Sequence, residues 1–289
     1  MIHTALRRTA RLALMCGVLA LMPEGLFAQQ AAASPQPGAV WRDPATGMEF
    51  VWVPGGTYEM GCGSWDRNCL DWEKPPHRVT VSGFWLAKTE ATQAQWTKVM
   101  GSNPSTFKKG DDYPVENVSW NDVQEFIRRL NSQGGGAGFR LPREAEWEYA
   151  CRSGGKEQVY SWGNEEPEAA GGKVANLADQ AAKQKHPEWT TIENYNDEYA
   201  ASAPVASFAP NGLGLFDMSG NVSEWVQDAY QAYPSGPATD PLVDSGERRV
   251  TRGGGWYSTA QFARCSSRYD WPPSDRFSFL GFRLARTNG

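Results

Sequence analysis

The hydrophobic pattern along the chain falls into short pieces rather than long periodic runs. Met48–Val53 is an apolar run, Pro54-Gly55-Gly56 turns it, and Thr57–Gly61 follows as a second strand. His77–Val81 (HRVTV) and Gly83–Lys88 (GFWLAK) are rich in β-branched and aromatic residues, which predicts two more strands. Thr92 is a good helix N-cap with Gln95 as its capping-box partner, and Trp96, Val99 and Met100 form the buried side. Ser119 caps a second helix with Asp122 at its third position. Val123, Phe126, Ile127 and Leu130 recur at i, i+3, i+4 and i+7, and Gly134-Gly135-Gly136 ends it. Phe139–Arg143 leads into a third short helix, Glu144–Cys151, with Pro142 near its first turn. Arg249–Gly255 (RVTRGGG) and Leu280–Arg286 (LGFRLAR) read as strands, the second closing the chain.

Two stretches do not follow either period. Residues 153–210 carry little regular pattern and are far longer than an ordinary loop. They are either disordered or tied down by a ligand, an ion or long-range contacts. Gly212–Trp225 (GLGLFDMSGNVSEW) is dense loop chemistry: glycines that permit turns, Asp217 and Glu224 around Ser219-Gly220, the turn former Asn221, and Trp225 as an apolar anchor. Hard cations such as Ca²⁺ take about six to eight oxygens, mixing carboxylates with carbonyls of a tight loop. On spacing alone, the simpler reading is a hairpin turn with two solvated carboxylates.

The first residues change the picture of location. Arg7, Arg8 and Arg11 precede an apolar run, Leu12–Met22, and Leu26-Phe27-Ala28 resembles a cleavage site. The run is too short to span a membrane, so residues 1–28 are expected to be a signal peptide and the protein exported, to a periplasm or outside the cell. Residues 29–47, which open Ala/Gln/Pro-rich, are expected to be a linker, and 48–289 one domain.

Composition adds exclusions. The full chain has 28 basic and 33 acidic residues, and the signal region holds three Arg and one Glu of these, so the mature part is acidic. Nothing suggests a nucleic-acid partner, which needs a basic face. Thirteen Trp, ten Tyr and twelve Phe favour an irregular fold with aromatic anchors. Beyond the signal region the cysteines are Cys62, Cys69, Cys151 and Cys265, an even number that suggests two disulfides with three possible connectivities. Cys62 and Cys69 are close enough to bridge locally. The histidines left, His77 and His186, are too few for His-rich iron or zinc centres.

Six separated segments carry a resemblance: EATQAQWTKVMGSNPS (90–105), PVENVSWNDVQEF (114–126), RLPREAEWEYACR (140–152), PNGLGLFDMSGNVSEW (210–225), RGGGW (252–256) and LGFRLAR (280–286). Together they resemble the formylglycine-generating, or sulfatase-modifying-factor, family, in the family's own order from Met48 to Arg286. The resemblance implies an α+β domain related to the C-type-lectin fold, loop-rich, with few short strands and about three helices. It implies two Ca²⁺ sites. The first uses Asn176, the carbonyl of Leu177, Asp197 and the carbonyl of Tyr199. The second uses Asp217, Gly220, Val222 and Glu224, with Gly220 and Val222 acting through carbonyls. It also implies pairing of Cys151 with Cys265, which leaves Cys62–Cys69 as a local bridge.

One departure bears on activity. Oxidising members of the family hold copper with two thiolates downstream of the glycine run. Here Ser258 and Ala263 fall at those positions, with Tyr257 preceding the first. Hydroxyl and methyl groups do not replace soft thiolates, so copper is not expected. The aromatic residues from Trp256 to Phe279, among them Trp271, are expected to frame a pocket for a peptide or small-molecule ligand, with Trp256 and Trp271 as its walls and about half of the rings in the core. Ser258 has no histidine near it in sequence, so a hydrolytic triad has little support. Three readings follow. One is an exported protein acting on a peptide or peptide-like metabolite, as an oxidoreductase or maturation factor without the copper–cysteine centre, like the family branch that matures the siderophore pyoverdine. The second is a non-catalytic, calcium-stabilised, lectin-like binding module. The third and most distant is a formylglycine-generating oxidase for sulfatases.

Overall fold

The computed structural model describes residues 1, 35–133 and 138–287. The expected signal region and the Gly134–Gly136 helix end lie outside the described residues. Pro35–Gly289 forms one unit. The strands and helices follow in chain order: β1 (Val40–Arg42), β2 (Glu49–Val53), β3 (Gly56–Met60), β4 (His77–Val81), β5 (Phe84–Ala87), α1 (Gln93–Met100), α2 (Trp120–Gln133), β6 (Phe139–Arg140), α3 (Glu144–Cys151), α4 (Gln180–Lys185), β7 (Ser223–Ala229), β8 (Ala238–Thr239), β9 (Arg249–Arg252), β10 (Arg268–Trp271), β11 (Leu280–Phe282) and β12 (Ala285–Arg286). They build three sheets, ordered β1-β2-β5-β12-β6, β10-β9-β7-β11 and β3-β4-β8. This is the loop-rich α+β architecture expected from the resemblance.

The first sheet separates two cores. Because side chains alternate across a strand, Phe50 and Trp52 of β2 enter one core while Val51 and Val53 enter the other. On β5, Trp85 and Ala87 join the first core and Phe84 and Leu86 the second. Helices α1 and α2 close the first core with Trp96, Phe126 and Leu130, and the Trp96 and Phe126 rings stack 5.2 Å apart. Helix α3 closes the second with Ala145, Trp147 and Tyr149.

Local signals explain where the helices begin. The Thr92–Gln95 capping box is present, with Thr92 N donating to Gln95 Oε1 at 2.9 Å, and Gly101 ends α1 with φ of 82°. At α2, Asp122 N donates to Ser119 Oγ and Ser119 N to Asp122 Oδ2, at 3.1 and 2.9 Å. The four apolar residues expected on the inner face of α2 are buried. Helix α3 differs, since all eight of its residues are buried, including Glu144, Glu146 and Glu148. Each acid faces an arginine supplied from elsewhere in the fold.

Two boundaries differ from expectation. Part of the expected linker forms β1, which pairs antiparallel with β2; Trp41 packs on Phe50 and Phe139, and this aromatic contact orders a stretch whose composition alone reads as a spacer. The expected closing strand 280–286 is broken in two. β11 pairs parallel with β7, while β12 lies between β5 and β6 in the first sheet. The break falls at Arg283, whose side chain is drawn inward to Glu224. The run 153–210 contains α4 and a single 3₁₀ turn, Pro167–Ala169, and no strand.

Candidate functional site

Strand β9 stops where the backbone turns left-handed at Gly253 and Gly254, with φ of 89° and 65°. A Cβ on Gly254 would approach the Phe262 carbonyl to 2.6 Å, so only glycine lets the turn close on that segment. The chain then delivers Trp256, whose N–H bonds the Asn221 carbonyl at 2.8 Å and whose ring N–H bonds the Ser278 carbonyl at 3.3 Å. Trp189 stacks on the Trp256 ring at 5.6 Å and Phe107 meets it edge-on at 5.5 Å. With both in place Trp256 is only 5% exposed.

Ser258 and Ala263 are also buried. Ser258 Oγ accepts from Gly255 N at 3.1 Å, and the Ser258 carbonyl accepts from Ala178 N at 2.9 Å. Ala263 packs with Ala175, Leu177 and Tyr195 in a small satellite core. Of the residues expected to frame a pocket, Tyr257 and Trp271 are partly exposed. They bracket a row of rings: Tyr257 on Phe279 at 4.1 Å, Phe279 parallel to Phe277 at 4.9 Å, and Phe277 on Trp271 at 4.5 Å. Thus the structure covers the Trp256 wall and leaves the Tyr257–Trp271 row half-buried, with Trp271, Phe277 and Phe279 packed against the first core. Phe107 and Trp189 lie far from the C-terminus in sequence, and no spacing rule pointed to them.

The residues of the first expected cation loop are brought together. Asp197 Oδ2 accepts from Leu177 N at 2.8 Å and Oδ1 from Tyr199 N at 2.7 Å. Asp179, unnoticed in the sequence, supports them by accepting from Asp197 N and by capping α4 through Ala181 N and Ala182 N. Asn176 is fully buried, its amide nitrogen donates to Ala201 O and Asn221 Oδ1, and its Oδ1 has no partner. An unmet buried acceptor costs about 1–3 kcal/mol. Burial also pushes the Asp197 carboxyl up to about 7. The orphaned Asn176 oxygen and the Asp197 carboxylate, which already accepts from Leu177 N and Tyr199 N, are oxygen donors of the kind a hard cation such as Ca²⁺ takes.

The second expected set fits less well. Asp217 sits in the left-handed region, φ 54°, and its Oδ2 accepts from Ala206 N at 2.7 Å. Gly220 approaches the Asn176 carbonyl so closely that a Cβ would lie 2.4 Å from it, which ties the two loops together. Val222 is buried immediately before β7. Glu224, however, points at Arg283, and it also accepts from Trp147 Nε1 at 2.7 Å. Its carboxylate is therefore engaged by cationic and neutral donors rather than offered to a metal. Nearby Glu90 is buried, and burial followed by Asp217 drives its pKa well up. Among the described residues, no group of three or more His, Cys, Asp or Glu is arranged to hold a metal ion.

All four described cysteines are paired, Cys62 with Cys69 and Cys151 with Cys265, as expected. Arg264, next to Cys265, joins the two bridges: it binds Asp66 at 2.8 Å and Glu73 at 2.6 Å and touches Cys62 Sγ at 3.6 Å. No described thiol is left to act as a copper ligand at this turn.

Residues 36–288 match the sulfatase-modifying factor enzyme 1-like domain. The chain belongs to the sulfatase-modifying-factor family. The match starts ahead of β1, so most of the expected linker lies inside the family domain. The formylglycine-generating enzyme of Bos taurus is 34% identical, over 84% of this chain and 75% of that protein. The inactive C-alpha-formylglycine-generating enzyme 2 of Bos taurus is also 34% identical, over 75% of this chain and 63% of that protein. The percentage identity to the two is the same, although the first match is longer, so identity alone does not select catalysis. Among solved structures, PvdO from Pseudomonas aeruginosa superimposes with a TM-score of 0.73 at 27% identity, over 88% of this chain and all of that one. The fold of this sulfatase-modifying-factor protein is therefore a whole-domain match.

Proposed function

We propose that this sulfatase-modifying-factor protein is exported and binds a peptide or peptide-like metabolite along the aromatic row from Tyr257 to Trp271, without thiolate–copper oxidation. The carrying observation is the turn after β9: Ser258 and Ala263 stand where the resemblance places the copper thiolates, and both are buried in packing contacts. The two disulfides support export. Ca²⁺ in the Asn176–Tyr199 loop is part of this reading as a structural ion. It would be held by Asn176, Asp197 and the Leu177 and Tyr199 carbonyls, and it would compensate the buried charge of Asp197.

Holding the ligand is favoured over transforming it. Ser258 Oγ is already engaged by Gly255 N and by the Tyr257 hydroxyl, which also bonds Ser223. The test is a peptide carrying a sulfatase-type cysteine motif, incubated with the protein, copper and oxygen and read by mass spectrometry. No aldehyde is expected, and aldehyde formation overturns the reading. Binding is read by quenching of tryptophan fluorescence on titration with peptides, and loss of that signal in Trp271→Ala and Tyr257→Ala variants is expected.

A further inference from the structure

A separate cavity of about 230 Å³ lies between the end of β7, the start of α3 and the segment 231–243. Its walls are mainly apolar, with Met60, Ala145, Pro234 and Val243, and Leu242 is exposed beside it. Two acids, Glu144 and Asp228, line it together with Arg268, and Glu146 lies near Asp228; two of these three acids are matched. Glu144 takes two bonds of 2.7 Å from Arg268, and Glu146 takes bonds of 2.6 and 2.7 Å from Arg140.

The third acid, Asp228, is 4% exposed and lines the cavity. Its oxygens accept only backbone N–H groups, Glu144 N at 2.8 Å and Val243 N at 3.0 Å. No described lysine or arginine forms an ion pair with it. Each carboxylate oxygen keeps a second acceptor site. Burial and, after it, the neighbouring Glu144 push its carboxyl up to about 7.

We propose that this cavity binds small primary ammonium compounds with an apolar body, the ammonium resting against Asp228. The space suits such a ligand, since an apolar cavity of about 150 Å³ accepts benzene. The ammonium supplies the counter-charge to Asp228 that the fold omits, and the apolar walls cover the hydrocarbon part. The site is distinct from the aromatic row and from the cation loop, so it stands apart from the function proposed above.

The test compares benzylammonium with benzyl alcohol, which is similar in size but uncharged, by calorimetric titration of the full chain. Benzylammonium binds at least about tenfold more tightly, as a charge-assisted hydrogen bond implies. Asp228→Asn removes that preference. Ala232→Trp, at the exposed rim of the cavity, blocks both ligands while the unfolding midpoint is retained, and it carries the test where the Asp228 variant fails to fold. Equal affinities for the two compounds, no binding of either to the folded protein, or ammonium binding that survives Ala232→Trp would overturn the proposal.

Discussion

Arg283 holds Glu224 in the interior through Nε and Nη2, at distances from 2.6 to 2.9 Å. Arg283 also donates to the Ala87 and Phe216 carbonyls, so it pins the closing segment to both large sheets. Removing one partner of a buried pair strands the other charge, which costs about 3–5 kcal/mol. Arg283→Met is expected to lower unfolding stability by that amount in denaturant titration. The double variant Glu224→Gln/Arg283→Met should recover part of the loss, and a fully additive double variant would show the two residues to be uncoupled.

Calcium removal is expected to lower the thermal midpoint. An ion that binds only the folded state stabilises by about 2.7 kcal/mol at a hundredfold excess over its Kd. Asp197→Asn should abolish the response to chelator, because Asp197 is the acid that binds both Leu177 N and Tyr199 N. An unchanged melting curve in chelator would sink the Asn176–Tyr199 site.

The two disulfides should differ in weight. Cys151 and Cys265 are 114 residues apart, Cys62 and Cys69 only seven. Loop-closure entropy then assigns about 5 kcal/mol to the first and about 2 kcal/mol to the second. Paired Cys→Ser variants measured in urea should keep that order, and a reversed order would mean that Arg264 and its acids, rather than chain entropy, set the contribution of the short loop.

Stability should fall as pH rises from about 4 to about 7. Asp228 and Glu116 are both raised to about 7, chiefly by burial, whereas unfolded carboxyls titrate near 4. Within that window the native state binds more protons than the unfolded one, so the slope is negative. Below it both states are protonated, and above it both are ionised, so the contribution is flat. Asp228→Asn should reduce the slope measured by denaturation across this range; an unaltered slope refutes the assignment to Asp228.

Much of the architecture was legible because it rests on local chemistry. The Thr92 and Ser119 caps act within three residues, and the inner face of α2 repeats at helical spacing. The strands 48–53, 77–81 and 83–88 announced themselves by β-branched and aromatic content. β7 was hidden, because its SEWVQDA sequence is buried along almost its whole length and shows no alternation. Helix α3 was placed correctly, but its three buried acids gave no hint of their partners. At the candidate site, the cation loop came from resemblance, while Phe107 and Trp189 over Trp256 did not.

By itself the sequence determined the periodic elements, the family motifs, the four cysteines beyond the expected signal region, and that serine and alanine stand at 258 and 263, where the resemblance expects thiolates. Those are properties of neighbouring residues or of residue identity, which survive without coordinates. Only the tertiary structure decided that Glu224 answers to Arg283, that Asn176 Oδ1 is left without a partner, and that Trp256 is roofed by rings from two distant loops. Each depends on pairing across tens of residues, where burial and charge matching choose among partners that look alike in one dimension.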